Sequence, residues 1–313
     1  MRFAGRQFHN QPEASHTHGF LVALWEEVAQ RTDGALKISV HAQNGGIPGS
    51  DPAALEMLVS GELELMTLMG GILGQIVPVA EIQGLPFAFT SHEEVHAVMR
   101  GALGNYLRSE MAAKGIHGFR EGVLENGFRH LVSIARPVLG AEDLAGYRMR
   151  IPAGRMFEDL FRSLGAQPVV VNIRELYAAL AERRVDGHEN PLVVTEVNRL
   201  YEVCRYVTLT GHMWSGFNLI ANLRFWRSLP EDVQEIVNRA VAAHVARQRA
   251  YTDAENRALE ARLASQRKMI FNRVDVGSFS AALSGDFYRR WRSELGESAW
   301  SLLPRNNAWH EEG

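Results

Sequence analysis

Cysteine is almost absent from this sequence: Cys204 is the only one among 313 residues. A single cysteine excludes an intramolecular disulfide, a CxxC redox pair and any multi-cysteine zinc or iron–sulfur site. Long apolar runs are also missing, so we expect no membrane-spanning segment, which would need ~18 or more consecutive apolar residues. The N-terminal string MRFAGRQFHN lacks the apolar stretch of a signal peptide. The chain is therefore either cytosolic or the mature form of a protein whose leader is not in this sequence.

An excess of charge of one sign is lacking as well. Lysine and arginine total 33, aspartate and glutamate total 36, and the formal net charge is −3. This balance excludes a strongly basic nucleic-acid-binding surface and a polybasic membrane-binding surface. The length of 313 residues suggests about two domains. We expect a globular protein with no nucleic-acid partner and no direct membrane insertion.

Most short catalytic signatures are missing too. The sequence contains no GxSxG, GxxxxGK[ST] or GxGxxG string, so a nucleophile elbow, a Walker P-loop and a dinucleotide fingerprint are excluded, and we expect no cofactor. One string does match: residues 92–96, HEEVH, fit the H-E-x-x-H pattern of zinc metalloproteases. A capping box of Ser91 and Glu94 places His92 at the first helical position, and the apolar spacing leaves both histidines facing solvent. A solvated helix end without metal is favoured, and a zinc metalloprotease is the alternative.

What the sequence does contain is alternation of strands and helices. Leu36, Ile38 and Val40 predict a half-buried strand, and Asp51-Pro52 opens a helix that ends at Gly61. Residues 1–70 therefore predict strand, helix, strand, helix, strand, which indicates a parallel α/β sheet. Further strands are predicted at 116–123, 128–134, 147–151, 168–172 and 206–210. With no internal repeat and no linker, two α/β lobes would be crossed by the chain more than once.

A very long helix is predicted over about residues 229–268. Ser228 and Glu231 form its capping box, Pro230 lies in the first turn, and no proline or glycine follows from Val233 until Gly277. Its length of about 55–60 Å fits either a coiled coil or a brace across two lobes. The apolar stripe thins toward the end of the helix, which favours the brace.

Arginines within strands are the clearest candidates for binding chemistry. Arg129 lies in FRHLV, and Arg148 and Arg150 lie in YRMRIP. Alternation places these last two arginines on the face opposite Tyr147, Met149 and Ile151. They are either exposed strand arginines or partners of an anion, since a guanidinium binds a carboxylate with two parallel hydrogen bonds.

At these residues the sequence resembles the periplasmic solute-binding subunits of TRAP transporters, the DctP-type family, over nearly its whole length. The likeness rests on the order and spacing of several segments. They are FLVALWEEVAQRTDGALKISV at 20–40, LPFAF at 85–89, GYRMRIP at 146–152, VDGHENP at 185–191, and SLP at 228–230 before the long helix. His188 stands where glutamine is usual in the family.

The resemblance implies a periplasmic-binding-protein-like α/β fold, with two lobes around a ligand cleft and one long helix bracing both. We expect lobe I to comprise residues 1–123 and 212–250, and lobe II to comprise residues 124–211 and 251–313. Family members bind and transport solutes, so the resemblance implies no enzymatic activity. It also implies a periplasmic protein whose signal peptide is absent from this sequence.

The resemblance also assigns site residues. It implies that Arg150 forms a salt bridge with the ligand carboxylate, assisted by Arg129, and that Asn190 contacts the ligand. Met69 with the loop that follows it, Trp214 and Phe217 are candidate walls; Arg148 is left as the outward, structural arginine.

The expected ligand is a small organic acid. Aromatic and polar neighbours favour a sugar acid such as a uronate or an aldonate, with a dicarboxylate or a 2-oxo or aromatic acid as the rival. The expected partner is the pair of TRAP permease membrane subunits; a binding subunit that feeds a sensor has the same sequence features. The oligomeric state is left open.

Overall fold

The computed structural model describes residues 2–46 and 50–304, without the side chains of 284 and 285. Most strands run where alternation predicts them, but the strands at Gly187–Asn190 and Ile270–Arg273 are not predicted by the sequence pattern. The strands are β1 (Phe3–His9), β2 (Leu36–His41), β3 (Leu65–Met69), β4 (Ile116–Ser133), β5 (Arg148–Ile151), β6 (Gln167–Val170), β7 (Gly187–Asn190), β8 (Tyr206–Asn222) and β9 (Ile270–Arg273).

Helices cover and connect these strands. They are α1 (His16–Arg31), α2 (Asp51–Ser60), α3 (Gly70–Leu73), α4 (His92–Arg100), α5 (Ala102–Ala113), α6 (Arg155–Ser163), α7 (Ile173–Ala181), α8 (Leu192–Val197), α9 (Leu223–Ser228), α10 (Glu231–Arg267), α11 (Gly277–Leu295) and α12 (Glu297–Trp300). The predicted stop of α2 is confirmed: Gly61 adopts the left-handed conformation (φ 91°) and closes the helix. None of the described helices is long and apolar enough to cross a bilayer.

Within the described residues the strands form one mixed sheet in the order β2-β1-β3-β8-β4-β7-β5-β6, with β9 beside β8. Strands β1, β2 and β3 pair in parallel at one end, and β5, β6 and β7 do so at the other. The antiparallel pair β4 and β8 joins the two ends. This arrangement is the predicted α/β fold with two lobes around a cleft.

Strands β4 and β8 are longer than the sequence pattern indicates. The predicted strands 116–123 and 128–134 are parts of one continuous β4, and 206–210 is only the beginning of β8. The pairing of β4 with β8 shifts register between Gly118 and Val123, between Glu125 and Gly127, and between Arg129 and Leu131. Bulges of this kind bend a strand and increase its twist, so one strand pair serves both halves of the sheet.

The predicted long helix is present as α10, and it joins two hydrophobic cores. The predicted capping box is wrong: Pro230 is the N-cap, and Ser228 ends α9, where its hydroxyl donates to the carbonyl of Phe225. Val237, Val241 and Val245 belong to the larger core, whereas Leu259 and Leu263 belong to a smaller one. With 37 residues, α10 is about 55 Å long. Apolar residues of α10 therefore contribute to both cores.

The predicted lobe boundaries fall inside continuous elements. The 123/124, 211/212 and 250/251 junctions lie within β4, β8 and α10. Helix α11, predicted in lobe II, packs against the 3-10 helix Pro78–Gly84 and against α6. With these boundaries, β4, β8 and α10 each run from one predicted lobe into the other.

Between its two apolar stretches, α10 is fastened to β4 by polar contacts. The amide of the fully buried Gln248 accepts from the backbone N–H of Glu125 at 2.9 Å and donates to the backbone carbonyl of Glu125 at 2.7 Å. The same amide donates to Thr252 at 2.8 Å. These bonds join α10 to the backbone of β4 beside the register shift between Glu125 and Gly127.

Replacing this amide tests the fastening. We expect Gln248→Leu to lower the free energy of unfolding by about 2–4 kcal/mol, because two buried backbone groups lose their partners. Arg239→Ala on the same helix, which removes an exposed pair with Glu235, serves as control and costs less than ~1 kcal/mol. Urea unfolding measures both changes. An equal loss in the two variants would contradict the role of Gln248.

Candidate functional site

A cavity of about 280 Å³ lies where the parallel strands end. Asn10 follows β1, Met69 ends β3, Pro152 follows β5, Val170 ends β6 and Asn190 ends β7. Ligands of open α/β sheets bind outside the carboxyl ends of the strands, since loops from several strands converge there. We call this cavity the front cavity. It is lined by Asn10, Gln11, Ser50, Asp51, Pro52, Met69, Asn126, Arg129, Arg150, Pro152, Ala153, Val170, Val171, Asn172, Ile173, Asn190, Val194 and Phe217.

Arg150 is the charged group of the front cavity that lacks a carboxylate partner. Its side chain is buried, with 2% of the residue exposed, and its Nε donates to the carbonyl of Val171 at 2.9 Å. Its two terminal nitrogens form no hydrogen bond with any described residue. Burial lowers the pKa of Arg150 to about 10, so the guanidinium remains charged at neutral pH. A desolvated cation with free donors attracts an anion.

Arg129, by contrast, is already neutralised within the protein. Its Nε and Nη2 bind both carboxylate oxygens of Glu189, with Nη2 to Oε1 at 2.6 Å, and Nη1 donates to Ser215 Oγ at 3.0 Å. Burial would raise the pKa of Glu189, but the charge of Arg129 and the hydrogen bonds hold it below its ordinary value. His212 Nε2 lies 3.4 Å from the same carboxylate. Both partners of this ion pair are fully buried.

Asn190 is oriented by these groups. Its Oδ1 accepts from Arg129 Nη2 at 3.2 Å, and its Nδ2 lies 3.0 Å from Nδ1 of the buried His188. Burial, followed by the charge of Arg150, lowers the pKa of His188 to about 3, so this ring is neutral and accepts from Asn190. The contacts with Arg129 and His188 therefore fix the position of the Asn190 amide at the cavity.

A carboxylate with amide neighbours also lines the front cavity. Asp51, at the first turn of α2, accepts from Asn10 Nδ2 at 2.9 Å and from Asn44 Nδ2 at 2.5 Å. Gln11 donates to Asn10 at 2.9 Å. The cavity is thus lined by the guanidinium groups of two arginines and by the carboxylate and amide oxygens of Asp51, Asn10 and Gln11.

Of the six candidate residues, the structure places Arg150, Arg129, Asn190, Met69 and Phe217 around the front cavity. Trp214 is not among its lining residues. Its indole instead donates to the carboxylate of Glu125 at 3.0 Å, on the other side of β8. Trp214 and Phe217 are three residues apart in β8, so they point to opposite faces of the strand.

The HEEVH segment is also arranged differently from the prediction that both histidines face solvent. His92 Nδ1 and His96 Nε2 both lie 2.9 Å from the same oxygen of Glu125, and His96 is buried. The prediction is wrong because the apolar spacing of α4 gave no sign of a buried carboxylate on the neighbouring strand. Burial would raise the pKa of Glu125, but hydrogen bonds from the two histidines lower it to about 2. Within residues 2–46 and 50–304, no cluster of three or more His, Cys, Asp or Glu side chains forms a metal site.

Several residues in or beside the front cavity are not identified by the sequence pattern. Asp51 was interpreted only as part of a helix start, and Glu189 stands in VDGHENP without a separate role. Adjacency to Asn190 was the only available sign for Glu189. Asn10 carries no local signature, since its position depends on where β1 ends beside α2.

Comparison with known proteins shows extensive similarity. The family model DctP, described as bacterial extracellular solute-binding protein, family 7, matches residues 8–290. The C4-dicarboxylate-binding periplasmic protein DctP of Rhodobacter capsulatus is 32% identical over 222 residues, which cover 70% of this chain and 65% of that protein. A protein named y4mM of Sinorhizobium fredii is 35% identical over 191 residues, and the match spans only 35% of its length.

Two solved structures have the same fold over nearly their full length. A TRAP periplasmic solute-binding protein from Polaromonas sp. JS666, bound to D-erythronate, superposes with a TM-score of 0.88 at 28% identity, covering 96% of this chain and 98% of that one. Another from Sulfitobacter sp. NAS-14.1, with bound β-D-galacturonate, gives a TM-score of 0.90 at 26% identity, covering 97% and 100%.

Of the two buried arginines, only Arg129 pairs with a carboxylate. Substituting each arginine should therefore change the stability of the ligand-free protein by a different amount. We expect Arg129→Met to lower the free energy of unfolding by about 3–5 kcal/mol, because Glu189 is left as an unpaired buried charge. Arg150→Met removes a desolvated charge and one hydrogen bond, so we expect a change within about 1 kcal/mol. Urea unfolding of the ligand-free variants measures the difference. Equal losses would show that Arg150 is as fully compensated as Arg129.

Proposed function

This chain belongs to the DctP family of bacterial extracellular solute-binding proteins, and on that premise we propose that it binds a sugar acid in the front cavity for a TRAP transporter. The ligand carboxylate is held by Arg150, and the hydroxyl groups are held by Asp51 and the surrounding amides. As in the family, the protein is a solute-binding protein and not an enzyme, which removes the zinc metalloprotease alternative.

The free guanidinium of Arg150 is the observation that carries this proposal. Arg150 lines the cavity with 2% of the residue exposed, and no described carboxylate binds its terminal nitrogens. A ligand carboxylate placed there forms two parallel charge-assisted hydrogen bonds and neutralises the charge. Arg129 is held by Glu189, so its contribution to the ligand is a secondary contact together with Asn190.

Asp51 distinguishes a sugar acid from a dicarboxylate. Hydroxyl groups donate hydrogen bonds to a carboxylate, whereas a second ligand carboxylate in the same small cavity is repelled by Asp51. The positive charges of Arg129 and Arg150 are already compensated in part by the carboxylates of Glu189 and Asp51. The cavity therefore favours one ligand carboxylate and several hydroxyls, as in the D-erythronate and β-D-galacturonate complexes of the similar structures.

The cleft explains how binding serves transport. The ligand contacts residues from both ends of the sheet, with Asp51 on one side and Arg150 on the other. A ligand that contacts both sides favours the closed form by its differential affinity. Closure excludes water and strengthens the charge-assisted bonds. We infer that the closed, loaded protein delivers its ligand in the periplasm to the TRAP permease subunits.

Two arginines on one strand provide a matched test of the salt bridge. We expect Arg150→Ala to weaken D-galacturonate binding at least ~100-fold, which corresponds to about 2.7 kcal/mol. Arg148→Ala should leave the affinity unchanged, because Arg148 pairs with Asp186 outside the cavity. Isothermal titration calorimetry on folded variants measures both. Equal affinity in the Arg150→Ala variant and the wild type would refute the proposed salt bridge.

Asp51→Asn tests the class of acid. We expect the ratio of D-galacturonate affinity to succinate affinity to fall at least ~10-fold, or about 1.4 kcal/mol, since the substitution removes the repulsion of a second carboxylate. Asp143→Asn, at a half-exposed carboxylate paired with Arg136 away from the cavity, is the control. A wild-type preference for succinate, or an unchanged ratio in Asp51→Asn, would argue against the sugar-acid assignment.

A further inference from the structure

A second and larger cavity lies on the opposite face of β4. It has a volume of about 680 Å³ and includes Phe128 and His130 in its lining. These two residues flank Arg129, which lines the front cavity, and successive side chains of a strand point to opposite faces. We call this second site the rear cavity. No group in it takes part in the proposed binding of the acid.

The walls of the rear cavity are mainly aromatic and aliphatic. Phe87, Phe89 and Phe128 contribute three rings, and Leu192 and Val276 contribute aliphatic surface. Small-molecule sites are typically concave, largely apolar and about 300–1,000 Å³ in volume. Aromatic walls favour a flat ring that stacks against them or meets them edge to face.

The backbone at one of these rings is held in an unfavourable conformation. Phe87 has a φ of 56°, in the left-handed region that a bulky residue rarely adopts. Its N–H donates to the carbonyl of His212 at 2.9 Å, and the preceding Pro86 carbonyl accepts from Tyr288 at 3.3 Å. A conformation of this kind costs of the order of 1–3 kcal/mol and is concentrated at ligand sites.

His130 is a polar lining residue with an available hydrogen-bond donor. His130 Nδ1 accepts from the backbone N–H of Gly211 at 3.0 Å. Burial, followed by the charge of His212, lowers the pKa of His130 to about 3. The neutral ring therefore carries its proton on Nε2, and Nε2 forms no hydrogen bond with any described residue. This N–H is available to an acceptor on a molecule in the cavity.

The charged residues of the lining are paired with one another. Asp253 binds Arg257 one turn later on α10, and its carboxylate lies 3.9 Å from Nε2 of His92. His92 in turn bonds to Glu125. Among the described residues of the lining, Arg257 is the one arginine, and it pairs with a carboxylate of the same lining, whereas Arg150 in the front cavity has no such partner.

From these features we propose that the rear cavity is a second small-molecule site, which binds a neutral, planar aromatic compound through its ring and one carbonyl-type acceptor. The rings of Phe87, Phe89 and Phe128 hold the ring of the ligand, and His130 Nε2–H donates to its acceptor. The proposal is independent of the acid bound at Arg150.

The test uses 4-fluorobenzamide as a neutral probe, followed by ¹⁹F NMR on the full chain. We expect saturable binding with a dissociation constant of about 1 mM, which is appropriate for a ligand of this size. Because the probe has no charge, Arg150 offers it no ion pair, and Arg150→Met should bind it equally well.

Three variants locate the binding. Val276→Trp places an indole ring in the wall of the cavity and should weaken binding, whereas Ser278→Trp, at an exposed residue two positions later that does not line the cavity, should leave it unchanged. His130→Asn retains an acceptor for Gly211, but its shorter side chain places no donor at the position of the His130 Nε2, and it should weaken binding about 5-fold or more. This variant also gives an independent result if Val276→Trp does not fold.

The proposal is overturned if the wild type shows no saturable binding up to ~20 mM probe. It is also overturned if folded Val276→Trp and His130→Asn both bind as the wild type does. Loss of binding in Arg150→Met would place the probe in the front cavity and would overturn it as well. None of these outcomes affects the proposed binding of sugar acids.

Discussion

Two guanidinium groups are buried side by side at the cleft, and only Arg129 has a carboxylate of its own. Glu189 binds Arg129 through both oxygens, while Arg150 bonds only to a backbone carbonyl. Burying a cation without a counter-ion costs several kcal/mol. The proposed function depends on this imbalance, because it requires an anionic ligand to supply the negative charge that Arg150 lacks within the protein.

The fold brings Arg150 and Asp51 to the front cavity from opposite ends of the sheet. Arg150 lies in the parallel strand β5 at one end of the sheet, and Asp51 begins α2 at the other. Strands β4 and β8 run between the two ends, and α10 is fastened to β4 through Gln248 at the register shift beside Glu125. The front and rear cavities lie on opposite faces of β4 in this shared region.

The sequence predicted the fold better than it predicted the polar interior. Alternation, caps and the uninterrupted run after Pro230 identify most strands and the long helix, since these depend on local apolar spacing. The continuity of β4 was missed because the segment around Glu125 has no apolar alternation. Contacts between distant segments were also missed. The Glu125 carboxylate brings His92 and His96 inward, and no pattern within HEEVH predicts a partner 29 residues away from His96. Trp214 was grouped with Phe217 by its chemistry, but strand alternation separates the two.

The central claim is that Arg150 receives the carboxylate of a sugar acid, and a crystal structure with D-galacturonate tests it most directly. The account predicts that both carboxylate oxygens lie about 2.8 Å from the terminal nitrogens of Arg150, with hydroxyl groups directed to Asp51. A bound galacturonate whose carboxylate lies elsewhere, leaving the terminal nitrogens of Arg150 without an anion, would contradict it.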